Sequence, residues 1–248
     1  MGWSTALAAT GSGGVMGRTA LACVIPMAAA VAGSAWAARR PPGAWVRSAI
    51  QHFAAGLVFA VAATELIPDL EANHRTAAVI GGFTVGVAVM LAIDVLAKRA
   101  GTGSESLLPM LVVTGVDLTV DGLLLGIAFS EGGAIGPLLT FALTMEMLGL
   151  GVALALVVLD TGATEARTVA TTAAVSCCVL VGGVLGASVL SNLGADALSV
   201  VLAFAVAALL YLVTEELLTE AHETEDTPLL TATFFLGFLI VLVLSFNT

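Results

Sequence analysis

Lysine is almost missing from this chain: Lys98 is the single one in 248 residues, and charged side chains make up only 10%. A soluble domain of this size carries about 25% charged residues. With 59% hydrophobic residues and a mean hydropathy of +1.07, so thin a charge cover excludes an ordinary water-soluble fold. The shortage of bases, 8 against 18 acids for a net charge of −10, excludes a nucleic-acid-binding role. Cysteine is scarce as well. Cys23, Cys177 and Cys178 fall inside apolar runs with no metal-ligand spacing, so they read as small packing residues rather than a disulfide framework. No GxxxxGK[ST], HExxH or CxxC motif occurs, which leaves ATP-driven pumping and soluble metalloenzyme chemistry without support. No serine and histidine pair at matching depth either, so the chain is not expected to be an enzyme.

What is present is a succession of long apolar runs. Eight are long enough to cross a hydrocarbon core as helices, at about 17–38, 46–68, 77–97, 108–129, 135–159, 168–190, 196–218 and 229–246. The breaks carry turn or charge signals, as in "ARRPPG", "KRAGTGSES", "DTGATEAR" and "HETEDTP". No loop has room for a soluble domain, so residues 1–248 form a single all-α integral membrane domain with the lipid bilayer as its partner. The first run also resembles a signal peptide ending in A-x-A, but Arg39 and Arg40 follow it directly and favour a retained helix. Arg39, Arg40, Arg47, Lys98, Arg99 and Arg167 fall on one side of this topology, and only Arg18 and Arg75 on the other. The first side is therefore expected to be cytoplasmic and both termini outside, in the cell membrane.

A faint repeat runs through the pattern. "TELIPDLEANH" closes the second segment and "EELLTEAHE" closes the seventh, with an odd number of crossings between them. That relation is the mark of an inverted repeat, with helices 1–3 and 6–8 as halves and helices 4 and 5 between them. Amphiphilic helix ends alone would give the same two matches.

The polar residues that matter most lie in the fourth and fifth segments. Asp117 and Asp121, in "VDLTVDGLLLG", are spaced i, i+4 and share one helix face near the bilayer centre. Glu146, in "FALTMEMLGLG", reaches a similar depth in the next segment. One central aspartate costs about 2.5–3.5 kcal/mol to insert, so three carboxylates cost roughly 8–10 kcal/mol before their mutual repulsion. No lysine or arginine lies at that depth in the sequence. Protonation, a bound cation or a water-filled cavity must carry the cost instead. Glu65 and Glu216, near the ends of the second and seventh segments, and His52, two turns into the second, are candidate pathway residues. As solvated or interfacial groups they need no function. Asp94 and Lys98 are spaced as an ordinary i, i+4 helix pair.

Taken in order, "HFAAGLVFAVAATELIPDLEANH", "VMLAIDVLAK", "VDGLLLG" and "LYLVTEELLTEAH" resemble the second, third, fourth and seventh helices of the ZIP (Zrt/Irt-like) divalent-metal transporters. The resemblance spans about residues 46–223. It implies eight helices in a 3+2+3 inverted arrangement, outside termini, a metal site between helices 4 and 5, and an assembly that is often dimeric. It also implies a divalent cation as the transported substrate, with no cofactor besides. Matching Asp121 and Gly122 to the end of the family's His-Asn-x-x-Asp/Glu-Gly motif puts Asp117 at its histidine and Leu118 at its asparagine. In the fifth helix Glu146 fits the last position of His-Glu-x-Pro-His/Glu, while Ala142, Leu143 and Met145 stand where the first two ligands and the proline would be. The glutamate usual in the sixth helix falls near Val179.

The expected function is a divergent ZIP-like carrier moving a divalent metal toward the cytoplasm through Asp117, Asp121 and Glu146. The alternative is a non-transporting relative with a structural or sensing cation site. An all-oxygen ligand set loses selectivity for zinc and favours harder ions such as manganese, magnesium or ferrous iron. Carboxylates must be deprotonated to bind, so affinity is expected to fall as pH falls. Calorimetry across mildly acidic to mildly alkaline pH should show this, with Asp121→Ala and Glu146→Ala each abolishing binding. Zinc affinity unchanged by either substitution would place the site elsewhere.

Overall fold

The computed structural model describes residues 12–72, 75–101, 107–131, 135–190, 195–222, 225 and 227–246. Among them there is no strand, and eight helices are long and apolar enough to span a membrane. Helix α1 is Ser12–Arg39; α2 begins as Ala44–Val61 and continues through a widened turn, Ala62–Leu66, into Ile67–Ala72. Then come α3 (Thr76–Gly101), α4 (Leu107–Glu131), α5 (Ile135–Asp160) and α6 (Glu165–Leu190). Helix α7 runs Ala195–Tyr211 and through a second widened turn, Leu212–Leu217, into Leu218–Ala221; α8 is Pro228–Ser245. All eight apolar runs are therefore helices, and the second and seventh extend past the apolar stretch by a few residues. The first run packs into the bundle, burying Thr19, Cys23, Ala30, Ser34 and Ala37 against its neighbours.

Local sequence explains several boundaries. Thr227 caps α8 by accepting from the Leu230 amide at 3.3 Å, and Pro228 follows at the first helical position, where its missing N–H costs nothing. Gly162 ends the α5–α6 turn at φ +79°, a conformation that strains any residue with a Cβ. In α2, Pro68 cannot donate to the Thr64 carbonyl. The turn just before it is of π type, the Ile67 amide reaching five residues back to Ala62.

The helices pair in a definite pattern: α4 with α6, α1 with α5, α2 with α8, α3 with α7, and α1 with α6. Lipid tails are as apolar as leucine, so burying apolar side chains gives helices little reason to associate; close backbone approach does. Three of these crossings are reciprocal glycine contacts. A Cβ on Gly122 would lie 2.0 Å from the Val179 carbonyl oxygen of α6, and one on Gly182 would lie 2.0 Å from the Thr119 carbonyl oxygen of α4. Between α1 and α5, Gly33 meets the Leu148 carbonyl and Gly151 the Ala30 carbonyl. Between α2 and α8, Gly56 meets the Phe234 carbonyl and Gly237 the Phe53 carbonyl. On α3, Gly82 and Gly86 press on Val200 and Phe204 of α7. By contrast, only 17% of the apolar window of α3 or of α8 is buried, against 56% for α5. Exposed Phe83, Val85, Leu91, Leu236 and Leu239 give those two helices a lipid-facing surface.

Two contacts identify the ends of the bundle. Arg75, before α3, forms an ion pair with Asp196 at the start of α7. At the other end the His52 ring of α2 lies against the His222 ring just after α7, with centroids 5.2 Å apart. Helices α2 and α7 thus run in opposite directions, and the widened turn of α2 lies toward the Arg75 end while that of α7 lies toward the His222 end.

The glycine crossings predict a contrast. Gly122→Val and Gly182→Val should each destabilise the folded protein by about 1–3 kcal/mol through overpacking. Gly81→Ala, with nothing within 4 Å of its Cβ, should be near neutral. Thermal unfolding in detergent measures all three, and an unchanged midpoint for Gly122→Val would contradict the crossing.

Candidate metal centre

The three central carboxylates lie in the middle of α4 and α5 and are all buried: Asp117 at 8%, Asp121 at 2% and Glu146 at 4% exposure. Their positions follow from the glycine contacts on the same helices. Gly122 turns toward α6, and Asp121, its neighbour in sequence, is carried into the interior beside Leu118, Leu124 and Leu125. On α5, Glu146 shares a face with Gly149, one turn further on. A Cβ at Gly149 would come 2.8 Å from the Gln51 side-chain oxygen of α2. Glu146 therefore faces the α2 side of α5, among Ala142, Leu143 and Met147, which are fully buried.

Among the described residues, no three His, Cys, Asp or Glu side chains are grouped closely enough to hold a metal in this conformation. Asp117, Asp121 and Glu146 are thus brought to a common level and burial but not into a closed three-ligand cage.

A cavity of about 260 Å³ opens beyond Glu146, where α2 begins and α5 ends. Arg47, Ser48 and Gln51 line it from α2, Met110 from α4, and Gly149, Val152 and Asp160 from α5. Its floor at Gly149 is one helical turn from Glu146. At the opposite end, a hollow of about 600 Å³ lies between the last turns of α2 and helices α3 and α7, with Glu71 and Arg75 on its rim.

The pathway candidates are distributed over both ends. Glu65 sits in the widened turn of α2, half-buried, with its Oε1 and the adjacent Thr64 hydroxyl enclosed and without a hydrogen-bond partner among the described residues. It is not the solvated helix end that the sequence pattern suggests, because α2 continues to Ala72. Glu216 belongs to the widened turn of α7. Its side chain, like those of Asp69, Lys98 and Glu220, lies outside the described residues, as does the expected Asp94–Lys98 pairing. His52 is buried at 3% exposure, and its Nδ1 lies 2.9 Å from the Ser48 carbonyl.

Sequence reasoning missed His222 as the neighbour of His52. The signal was available, since the start of the second helix and the end of the seventh were expected on one side. It also missed the widened turns, although Thr-Glu recurs at both (Thr64–Glu65 and Thr214–Glu215) and π-type turns concentrate at functional sites.

No protein-family model matches this chain, and no curated protein matches it.

Helices α2 and α7 generate a prediction of their own. Single cysteines replacing Glu65 and Glu216 in reconstituted protein should react with membrane-impermeant thiol reagents from opposite faces of the vesicle. Labelling of both from one face would contradict the antiparallel placement of the two turns.

Proposed function

We propose that this chain is a ZIP-like carrier that moves a divalent metal cation across the membrane toward the cytoplasm, with Asp117, Asp121 and Glu146 as oxygen ligands at mid-span. The observation that carries the reading is the burial of all three carboxylates in the middle of two consecutive apolar helices. A cation offsets the cost of holding several negative charges there, and oxygen ligands replace its lost hydration. Helices α2 and α7 supply the approach to each end, Glu65 toward the entrance and Glu216 and His52 toward the exit. Conformational exchange would then complete the ligand set, which is open in the conformation described.

The 3+2+3 inverted repeat belongs to the same proposal, and the packing registers support it. If α1 answers to α6 and α5 to α4, then Gly33 answers to Gly182 and Gly151 to Gly122. The carbonyls they meet, Leu148 and Ala30 on one side and Thr119 and Val179 on the other, correspond in the same register. That register sets Asp117 opposite Glu146. If α2 answers to α7 and α3 to α8, the contact of Gly86 with Phe204 answers to that of Gly237 with Phe53, and Glu65 falls on Glu216. Two halves inserted in opposite senses and rocking about the α4–α5 pair give alternating access.

A non-transporting, cation-sensing relative is the second reading. It is favoured by Val179, which stands where the family's sixth-helix glutamate would be and closes tightly on Gly122. Uptake into proteoliposomes separates the two. The carrier reading expects manganese or ferrous-iron flux in the intact protein, reduced at least about tenfold by Asp121→Ala or Glu146→Ala, a loss of about 1.4 kcal/mol or more. Retained binding with no flux for any divalent ion would leave the sensing role instead.

A further inference from the structure

Between the start of α4, the end of α5 and the start of α6 lies a hollow of about 430 Å³. It belongs to the end of the bundle where the bases concentrate, at the close of α1 and α3 and the start of α2 and α6. Its wall is of two kinds. Thr161, Arg167 and Thr171 give it a polar side, and Leu107, Leu108 and Leu111 of α4 an apolar one. Arg167 is the one charged residue that lines it, and it joins no ion pair among the described residues. The neighbouring acids, Asp160 and Glu165, are exposed and stand outside the wall. The two hollows beside α2 differ in this respect, since Asp160 accompanies Arg47 in one and Glu71 accompanies Arg75 in the other. An unopposed guanidinium selects an anion, and its planar fork matches phosphate oxygens.

The apolar side does not stop at the hollow. Leu108, Val112 and Val116 recur at i, i+4 and i+8 on α4 and are 66%, 57% and 41% exposed. They share one face of the helix, which the rest of the bundle leaves open to lipid. At 1.5 Å per residue this ridge runs about 12 Å from the hollow toward mid-span. A soluble anion would use the arginine and leave the ridge idle. A phospholipid uses both, with its phosphate at Arg167 and an acyl chain along the ridge. The chain as a whole carries a charge of −10 and repels anionic lipid, so a preference for such a lipid has to arise at a local base.

We infer that this hollow is a binding site for an anionic phospholipid, whose phosphate pairs with Arg167 while a chain lies over Leu108, Val112 and Val116. The Thr161 hydroxyl is already donated to the Val158 carbonyl at 2.7 Å, which leaves Arg167 and Thr171 as the side-chain donors. Basic pockets between membrane helices recognise acidic headgroups in this way. The site is separate from the central carboxylates and stands whether or not the protein transports metal.

Native mass spectrometry of the full-length protein in detergent, titrated with phosphatidylglycerol or phosphatidylethanolamine of matched chains, tests it. The native sequence should bind the first phosphatidylglycerol about fivefold more tightly, the factor one arginine contributes beside an anionic headgroup. Arg167→Gln should remove that preference and Arg167→Lys should keep most of it. Arg40→Gln, which removes an exposed base at the same end, should leave it unchanged. Millimolar inorganic phosphate should not displace the lipid. Because Arg167 is exposed, its replacement leaves the bundle folded, which an unchanged unfolding midpoint in detergent verifies. Equal affinity for the two lipids in the native chain, or a preference that survives Arg167→Gln, would overturn the inference. Equal loss in Arg40→Gln would also overturn it, by reducing the effect to the general charge of that end. Displacement by inorganic phosphate would assign the hollow to a soluble anion and overturn the lipid site.

Discussion

An ionised carboxylate inside a lipid-solvated bundle is unstable unless something compensates it, and three carboxyl groups, Asp117, Asp121 and Glu146, lie buried in the middle of this one. Among the described residues most other buried polar groups are small: Thr19, Ser34, Thr140, Thr168, Thr172 and Ser176 are buried hydroxyls, most of them bonded to a nearby carbonyl or to each other, while Gln51 and His52 of α2 are the larger exceptions. Those hydroxyls satisfy themselves locally at little cost. Asp117, Asp121 and Glu146 are larger and acidic, and an ionised carboxylate is costly at mid-span.

The surrounding scaffold can be understood as what lets α4 and α5 tolerate that load. Both are clasped by backbone-to-backbone crossings, α4 on α6 through Gly122 and Gly182, and α5 on α1 through Gly151 and Gly33. Such crossings are rigid, since no flexible side chain lies between the helices to yield. Among the described residues the irregular helical turns fall in α2 and α7, where they break the regular hydrogen-bond ladder and carry Glu65, Glu215 and Glu216. The molecule thus pairs stiff crossings at the charged centre with locally irregular helices toward either end.

Much of this was legible in the sequence, and for definite reasons. Helices in lipid must be long, apolar and internally hydrogen-bonded, so the eight runs announce themselves by composition alone. The burial of Asp117, Asp121 and Glu146 followed from their depth within such runs. Which helices touch did not follow. The small-xxx-small pairs Gly82/Gly86, Gly122/Gly126 and Gly182/Gly186 mark faces that allow close packing, and all six glycines do press on a neighbouring helix, but the spacing does not say which helix each one meets. The widened turn of α2 was hidden because the polar stretch "TELIPDLEANH" reads as a closing helix end, whereas the chain absorbs Pro68 and continues to Ala72. The His52–His222 contact was half legible: topology puts the start of α2 and the end of α7 on one side, but that these two helices pack together there depends on the bundle as a whole.

The central claim is that the buried carboxylates of α4 and α5 hold a divalent cation. An anomalous-difference map from crystals of the protein soaked in manganese tests it most directly. The account predicts a peak at mid-span between α4 and α5, with oxygen atoms of Asp117, Asp121 or Glu146 about 2.1–2.3 Å from it. Well-ordered density for all three side chains with no peak among them, at manganese concentrations that saturate binding in solution, would contradict it.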